Sequence, residues 1–123
     1  MAGSTPAARQ RRLRAAFLLL LLAAGVAGAQ GAKKAFDIAL TGGRAPQGYD
    51  TVRVQRGDEV ELRWSSDRNI AVHLHGYDIE VRVTPGSAAV MAFRARIAGR
   101  FPVSEHGHGA RHGRPLLYLE VHP

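Results

Sequence analysis

Apolar residues alternate with polar ones through most of this 123-residue chain, in short runs cut by Gly, Pro and Asp turns. Successive side chains of a strand point to opposite faces, so a period of two lays one apolar face on a core. Val52 and Val54 alternate within Thr51 to Gln55, and Val60, Leu62 and Trp64 within the next run. Ile70, Val72 and Leu74 follow, with Ala71, His73 and His75 on the other face. Ile79, Val81 and Val83 alternate against Glu80 and Arg82. Phe36 to Leu40, Ala88 to Arg94, Phe101 to Ser104 and Leu116 to Val121 complete the set. No apolar period of 3.6 persists long enough for an ordinary helix. Seven or eight strands, one about every ten residues, predict an all-β fold, a two-layer antiparallel sandwich or a closed barrel. Arg56-Gly57-Asp58, between two such runs, reads as the turn of a hairpin.

The start of the chain follows a different pattern. Arg9, Arg11, Arg12 and Arg14 form a basic head, Ala15 to Ala24 an uninterrupted apolar run, and Ala27-Gly28-Ala29 an A-x-A cleavage site. This reads as an export signal over residues 1–29. The alternative is a retained anchor, but Ala15 to Ala29 falls short of the roughly 20 residues that cross a bilayer. Cleavage before Gln30 leaves 94 residues destined for the periplasm or the medium, with no membrane attachment. Residues 30–50 then supply an N-terminal strand and loop, and 51–123 the core of one small domain.

There is no cysteine. That excludes disulfides, thiolate nucleophiles and every metal centre that needs cysteine sulfur. The formal charge of +7 is largely a property of the leader, whose four arginines leave 13 basic against 10 acidic residues, a net of +3. A balance so close to neutral, with no basic run interleaved with aromatics, gives no support to nucleic-acid binding. Ser65, Ser66, Ser87 and Ser104 sit in no motif that activates a hydroxyl, and Gly42-Gly43 lacks the lysine and helix of a phosphate loop.

The chemistry-bearing residues are histidines. His73 and His75 are two apart on a strand, so their side chains share a face with bases roughly 6.6 Å apart and can converge on one ion. Glu105-His106-Gly107-His108-Gly109-Ala110-Arg111-His112 adds three more imidazoles in a glycine-rich loop. If the fold brings loop and strand together, His73, His75, Glu105, His106, His108 and His112 supply a metal site. The plainer alternative makes His73 and His75 the solvent face of a half-buried strand and the loop a solvated connection. Asp78 either accepts a hydrogen bond from a neighbouring imidazole or caps the turn after Gly76. Met91, beside Phe93, reads as core; Trp64 and Tyr118 read as core and strand-edge aromatics, and His122 as exposed tail.

The run Val52-Arg-Val54-Gln-Arg-Gly57-Asp58-Glu-Val60-Glu-Leu62-Arg-Trp64, then the His73 strand, Pro85-Gly86, Ala98-Gly99-Arg100-Phe101 and a His-bearing loop before Leu117 to Val121, resembles the cupredoxin-like family. Within it the resemblance is to EfeO-type exported single domains, and it extends from about Val52 to Val121. It implies a Greek-key β-sandwich of seven to eight strands. In cupredoxins a strand histidine joins a cysteine, a histidine and often a methionine of the last loop around copper. By position, His73 or His75 matches the first ligand, Glu105 stands where the cysteine would be, and His108 where the loop histidine would be. His112 lies near the usual place of the methionine. The departure at Glu105 excludes a blue-copper centre and leaves imidazole and carboxylate, which suit divalent copper or zinc, copper having the higher intrinsic affinity.

Three function classes follow. The first is an exported, monomeric module that captures, buffers or delivers divalent copper. The second is a metal-free interaction or accessory domain for an envelope protein partner. The third is an enzyme, because His73-Leu74-His75-Gly76 is similar to the His-Xaa-His-Gly motif of multicopper oxidases and to the start of the copper site in copper-zinc superoxide dismutases. The oxidases need several domains and a cysteine, and the dismutases normally have a longer chain and a disulfide, so the expectation is a binding protein and not an enzyme.

Overall fold

Eight strands and no helix make up the fold in a computed structural model that describes residues 31–107 and 114–123. They are β1 (Lys33–Leu40), β2 (Thr51–Gln55), β3 (Glu59–Ser66), β4 (Ile70–Leu74), β5 (Ile79–Val83), β6 (Ala89–Arg94), β7 (Gly99–His106) and β8 (Leu117–His122). They form two sheets, one ordered β1-β3-β6 and the other β2-β8-β7-β4-β5. The β1–β3 and β2–β8 pairs are parallel and the rest antiparallel. The expected all-β sandwich is thus the observed one. The leader assigned to residues 1–29 lies outside the described residues.

The period of two explains the layers. Val52 and Val54, Val60, Leu62 and Trp64, Ile70, Val72 and Leu74, and Leu117, Leu119 and Val121 are all buried, and their sequence neighbours face out. Each such aliphatic side chain contributes on the order of 1.5–3 kcal/mol by leaving water. Met91 and Trp64 are core residues, as expected, and the Trp64 indole Nε1 has no acceptor among the described residues.

The hairpin expected at Arg56-Gly57-Asp58 is not formed: β2 belongs to the five-stranded sheet and β3 to the three-stranded one. The turn instead carries the chain across the sandwich, and Asp58 is what holds it. Buried at 3% exposure, its carboxylate accepts the Gln55 N–H at 2.8 Å and the Ala32 N–H at 3.0 Å, tying β2 to the chain leading into β1. The Asp58 backbone adds a bond from Ala95 N–H at 2.9 Å, and Gly57, at φ 98°, donates to the Ala95 carbonyl at 2.8 Å. β1 extends three residues earlier than its apolar segment, because Lys33 to Ala35 pair with Glu59 to Glu61 at the sheet edge. Tyr118 is not at an edge either. β8 lies between β2 and β7, and the Arg100 guanidinium covers the ring at 3.8 Å.

Candidate metal centre

Three of the described histidines, His73, His75 and His106, collect on the outer face of the five-stranded sheet. His73 lies mid-strand in β4, opposite Glu80 of β5 and Ser104 of β7. Its neighbours Val72 and Leu74 are fully buried, so strand alternation turns its ring outward. His75 follows the end of β4 and still donates its backbone N–H to the Pro102 carbonyl at 3.0 Å. The His73 and His75 ring centroids are 4.4 Å apart at an interplanar angle of 59°, closer than the spacing of their strand positions. His106 ends β7 opposite Ala71, diagonal to His73 on the same face, and its ring stacks at 5.5 Å and 26° on that of His73.

Two carboxylates hold two of these rings. Asp78 adopts φ 55°, a left-handed conformation uncommon for a residue with a side chain, and its Oδ1 lies 2.9 Å from His73 Nε2. Glu80 Oε2 lies 2.6 Å from His106 Nδ1. The hydrogen bond from His106 holds the Glu80 carboxyl below its ordinary value of 4.5. Desolvation opposes this, and the nearby His106, His73 and Arg82 add smaller effects in the downward direction. Sequence reasoning left Glu80 out. The signal was present in the turn at Gly76, because a tight β4–β5 connection puts Glu80 opposite His73.

Glu105 does not join the imidazoles. It pairs with buried Val72 and therefore faces the inner side, where Arg68 Nη2 binds its Oε2 at 2.9 Å. Alternation on β7 sends His106 outward and Glu105 inward, so the two cannot serve one ion from the same strand. Of the loop expected to join the strand, the described part is its start, Glu105 to Gly107. His106 meets His73 on the sheet face, and the backbone of His75 is bonded to Pro102 of β7. His108 and His112 lie outside the described residues. His122 is part of β8, its ring 3.6 Å from Glu120. Among the described residues no three histidine, aspartate or glutamate side chains are already converged to hold an ion. The donor types on this face nonetheless fit divalent copper or zinc, which take imidazole nitrogen and carboxylate oxygen.

No protein-family profile and no curated protein sequence matches the chain. Solved structures do. A chain of a heme-copper terminal oxidase dimer aligns with 93% of this chain and 99% of its own length, at 19% identity and a TM-score of 0.57. The blue copper oxidase from Nitrosomonas europaea aligns with 74% of this chain at 22% identity and a TM-score of 0.57, and this chain spans only 39% of that one. A copper binding protein in its apo form, solved by NMR, aligns with 76% of this chain and 99% of its own, at 11% identity and a TM-score of 0.55. At these identities the likeness speaks for architecture, and with the two-sheet topology it leads to one conclusion: this chain has a cupredoxin-like fold.

Proposed function

We propose that the protein is an exported metal-binding module that takes up divalent copper, with zinc as the second ion, for capture, buffering or delivery. The observation that carries this reading is the outward patch of His73, His75 and His106, with ring centroids 4.4 and 5.5 Å from that of His73. Imidazole is a favoured ligand of divalent copper and zinc, and copper leads the affinity order. His108 and His112, next in sequence after His106, are the candidates for completing the set. The copper proteins among the similar structures support the metal class. Without a cysteine thiolate, a bound copper supplies reversible ion binding and not blue-copper electron transfer. The Arg-rich head, apolar run and A-x-A site support export to the periplasm or medium. A protein of the envelope is the natural recipient of the ion, and the working form is a monomer. The proposed role is binding and not catalysis, because the cysteine that a multicopper oxidase needs is absent from this sequence.

One observation favours a second reading, a metal-free accessory domain for an envelope partner. The rings of His73 and His106 already have carboxylate partners at 2.9 and 2.6 Å. Thermal unfolding separates the two. An ion that binds only the folded state stabilises it by about 2.7 kcal/mol at a hundredfold excess over Kd. A raised Tm with divalent copper supports the metal reading, and an unchanged Tm supports the accessory domain.

A further inference from the structure

Asp78 and Glu80 have no role in the core. Both are exposed, and each spends its carboxylate on one ring of the histidine patch. The way each gets there is specific. Asp78 takes a left-handed conformation at φ 55° that costs backbone energy in a residue other than glycine, and the carboxylate so placed reaches back over β4 to His73 Nε2. Glu80 stands directly opposite His73 yet bonds the ring of His106, which belongs to β7 on the far side of β4. Strands two apart in a sheet are separated by roughly 9.6 Å. The intervening residue on this face is Ala71, the register partner of His106, and its methyl leaves the span open for the two side chains to meet.

A carboxylate accepts a proton-bearing nitrogen and so selects a tautomer, leaving the other ring nitrogen as a lone-pair donor. Metal-binding imidazoles are commonly oriented in this way. We infer that Asp78 and Glu80 are positioning residues of the site, holding the protons of His73 on Nε2 and of His106 on Nδ1 and so presenting His73 Nδ1 and His106 Nε2 as the metal donors. This rests on the metal reading above, and goes beyond it in naming the donor atoms and the two groups that set them. His75 has no such partner among the described hydrogen bonds and enters as the adaptable third donor.

The test has two arms on the whole domain. In the first, long-range nitrogen–proton NMR of the metal-free protein, at mildly alkaline pH where imidazoles are neutral, reads the tautomers directly. His73 is expected as the Nε2–H form and His106 as the Nδ1–H form. Asp78→Gly, which suits a left-handed backbone, releases His73 alone to a mixture, and Glu80→Ala releases His106 alone. In the second arm, divalent copper is titrated into the same proteins, and each variant loses about tenfold in affinity with its Tm little changed. The opposite tautomer at either ring in the unsubstituted protein overturns the inference, as does a tautomer unmoved by removal of its carboxylate. Copper bound equally well by both variants overturns the positioning role and leaves the metal reading standing. No copper bound by the unsubstituted protein overturns that reading itself, and the donor assignment with it.

Discussion

Arg68 and Glu105 form an ion pair at 2.9 Å on the inner side of the five-stranded sheet, facing away from His73 and His106. The Glu105 side chain is 15% exposed and that of Arg68 43%, so the pair is partly solvated. It does not feed a coordination sphere. Glu105→Gln should lower stability by about 1 kcal/mol or less, the range of partly solvated pairs. Copper affinity should stay within about twofold, measured by titration. A tenfold loss of affinity, about 1.4 kcal/mol, would return Glu105 to the metal site.

Gly76 carries the turn that aligns β5 on β4. Its φ is 84°, and a Cβ added there would overlap the Phe101 ring at its Cδ1 edge. Gly76→Ala therefore meets both a strained backbone and a steric overlap, and should cost about 1–3 kcal/mol in chemical denaturation. Because Glu80 and Asp78 depend on the same turn, the variant should also bind copper more weakly. Native stability in Gly76→Ala would contradict the packing described for this turn.

Asp58 is the corner of the fold. Asp58→Ala removes two hydrogen bonds between a buried carboxylate and backbone N–H groups, at 2.8 and 3.0 Å, and strands both donors. Bonds of this kind contribute about 1.5–3 kcal/mol each, and the losses overlap because both donors share one acceptor group. A fall in stability of about 3 kcal/mol or more, with the strand content of any folded fraction unchanged by circular dichroism, is the expected result. A change below about 0.5 kcal/mol, the range of ordinary surface substitutions, would mean that the crossover is held by the chain alone.

Acid should act on the site in two ways. Imidazole must be neutral to bind metal, so copper affinity falls as pH drops through the imidazole range near 6.5. The Glu80 carboxyl titrates below its ordinary value of 4.5 through its bond with His106, so its contribution to stability is fully present above that value and is lost as pH falls through the depressed one. Glu80→Gln should accordingly lower Tm slightly near neutrality and converge with the unsubstituted protein in strong acid. A Tm difference that grows with acidification would have the wrong sign.

Strand positions and the core were legible because a period of two is a local signal. Val52, Leu62, Val72 and Leu119 are buried where alternation puts them. The crossover at Arg56-Gly57-Asp58 was not, because the same turn residues serve a hairpin and a passage between sheets. What distinguishes them is the bond from Ala32 N–H to Asp58, a contact over 26 residues that no local pattern contains. At the site, alternation correctly put His73 on an outer face. The same rule applied to β7 separates Glu105 from His106, but only once β7 is known to run unbroken to His106. The loop reading had obscured that. The Glu80 bond to His106 needs the order β5-β4-β7, a fact of sheet topology.

The most direct test of the account is calorimetric titration of the metal-free domain with divalent copper and zinc at neutral pH, alongside a variant in which His73, His75 and His106 are all alanine. A metal centre on this face gives stoichiometric copper binding, weaker zinc binding, and loss of both in the variant with its fold retained. Copper binding of equal strength in the variant, or none in the unsubstituted protein, would contradict it.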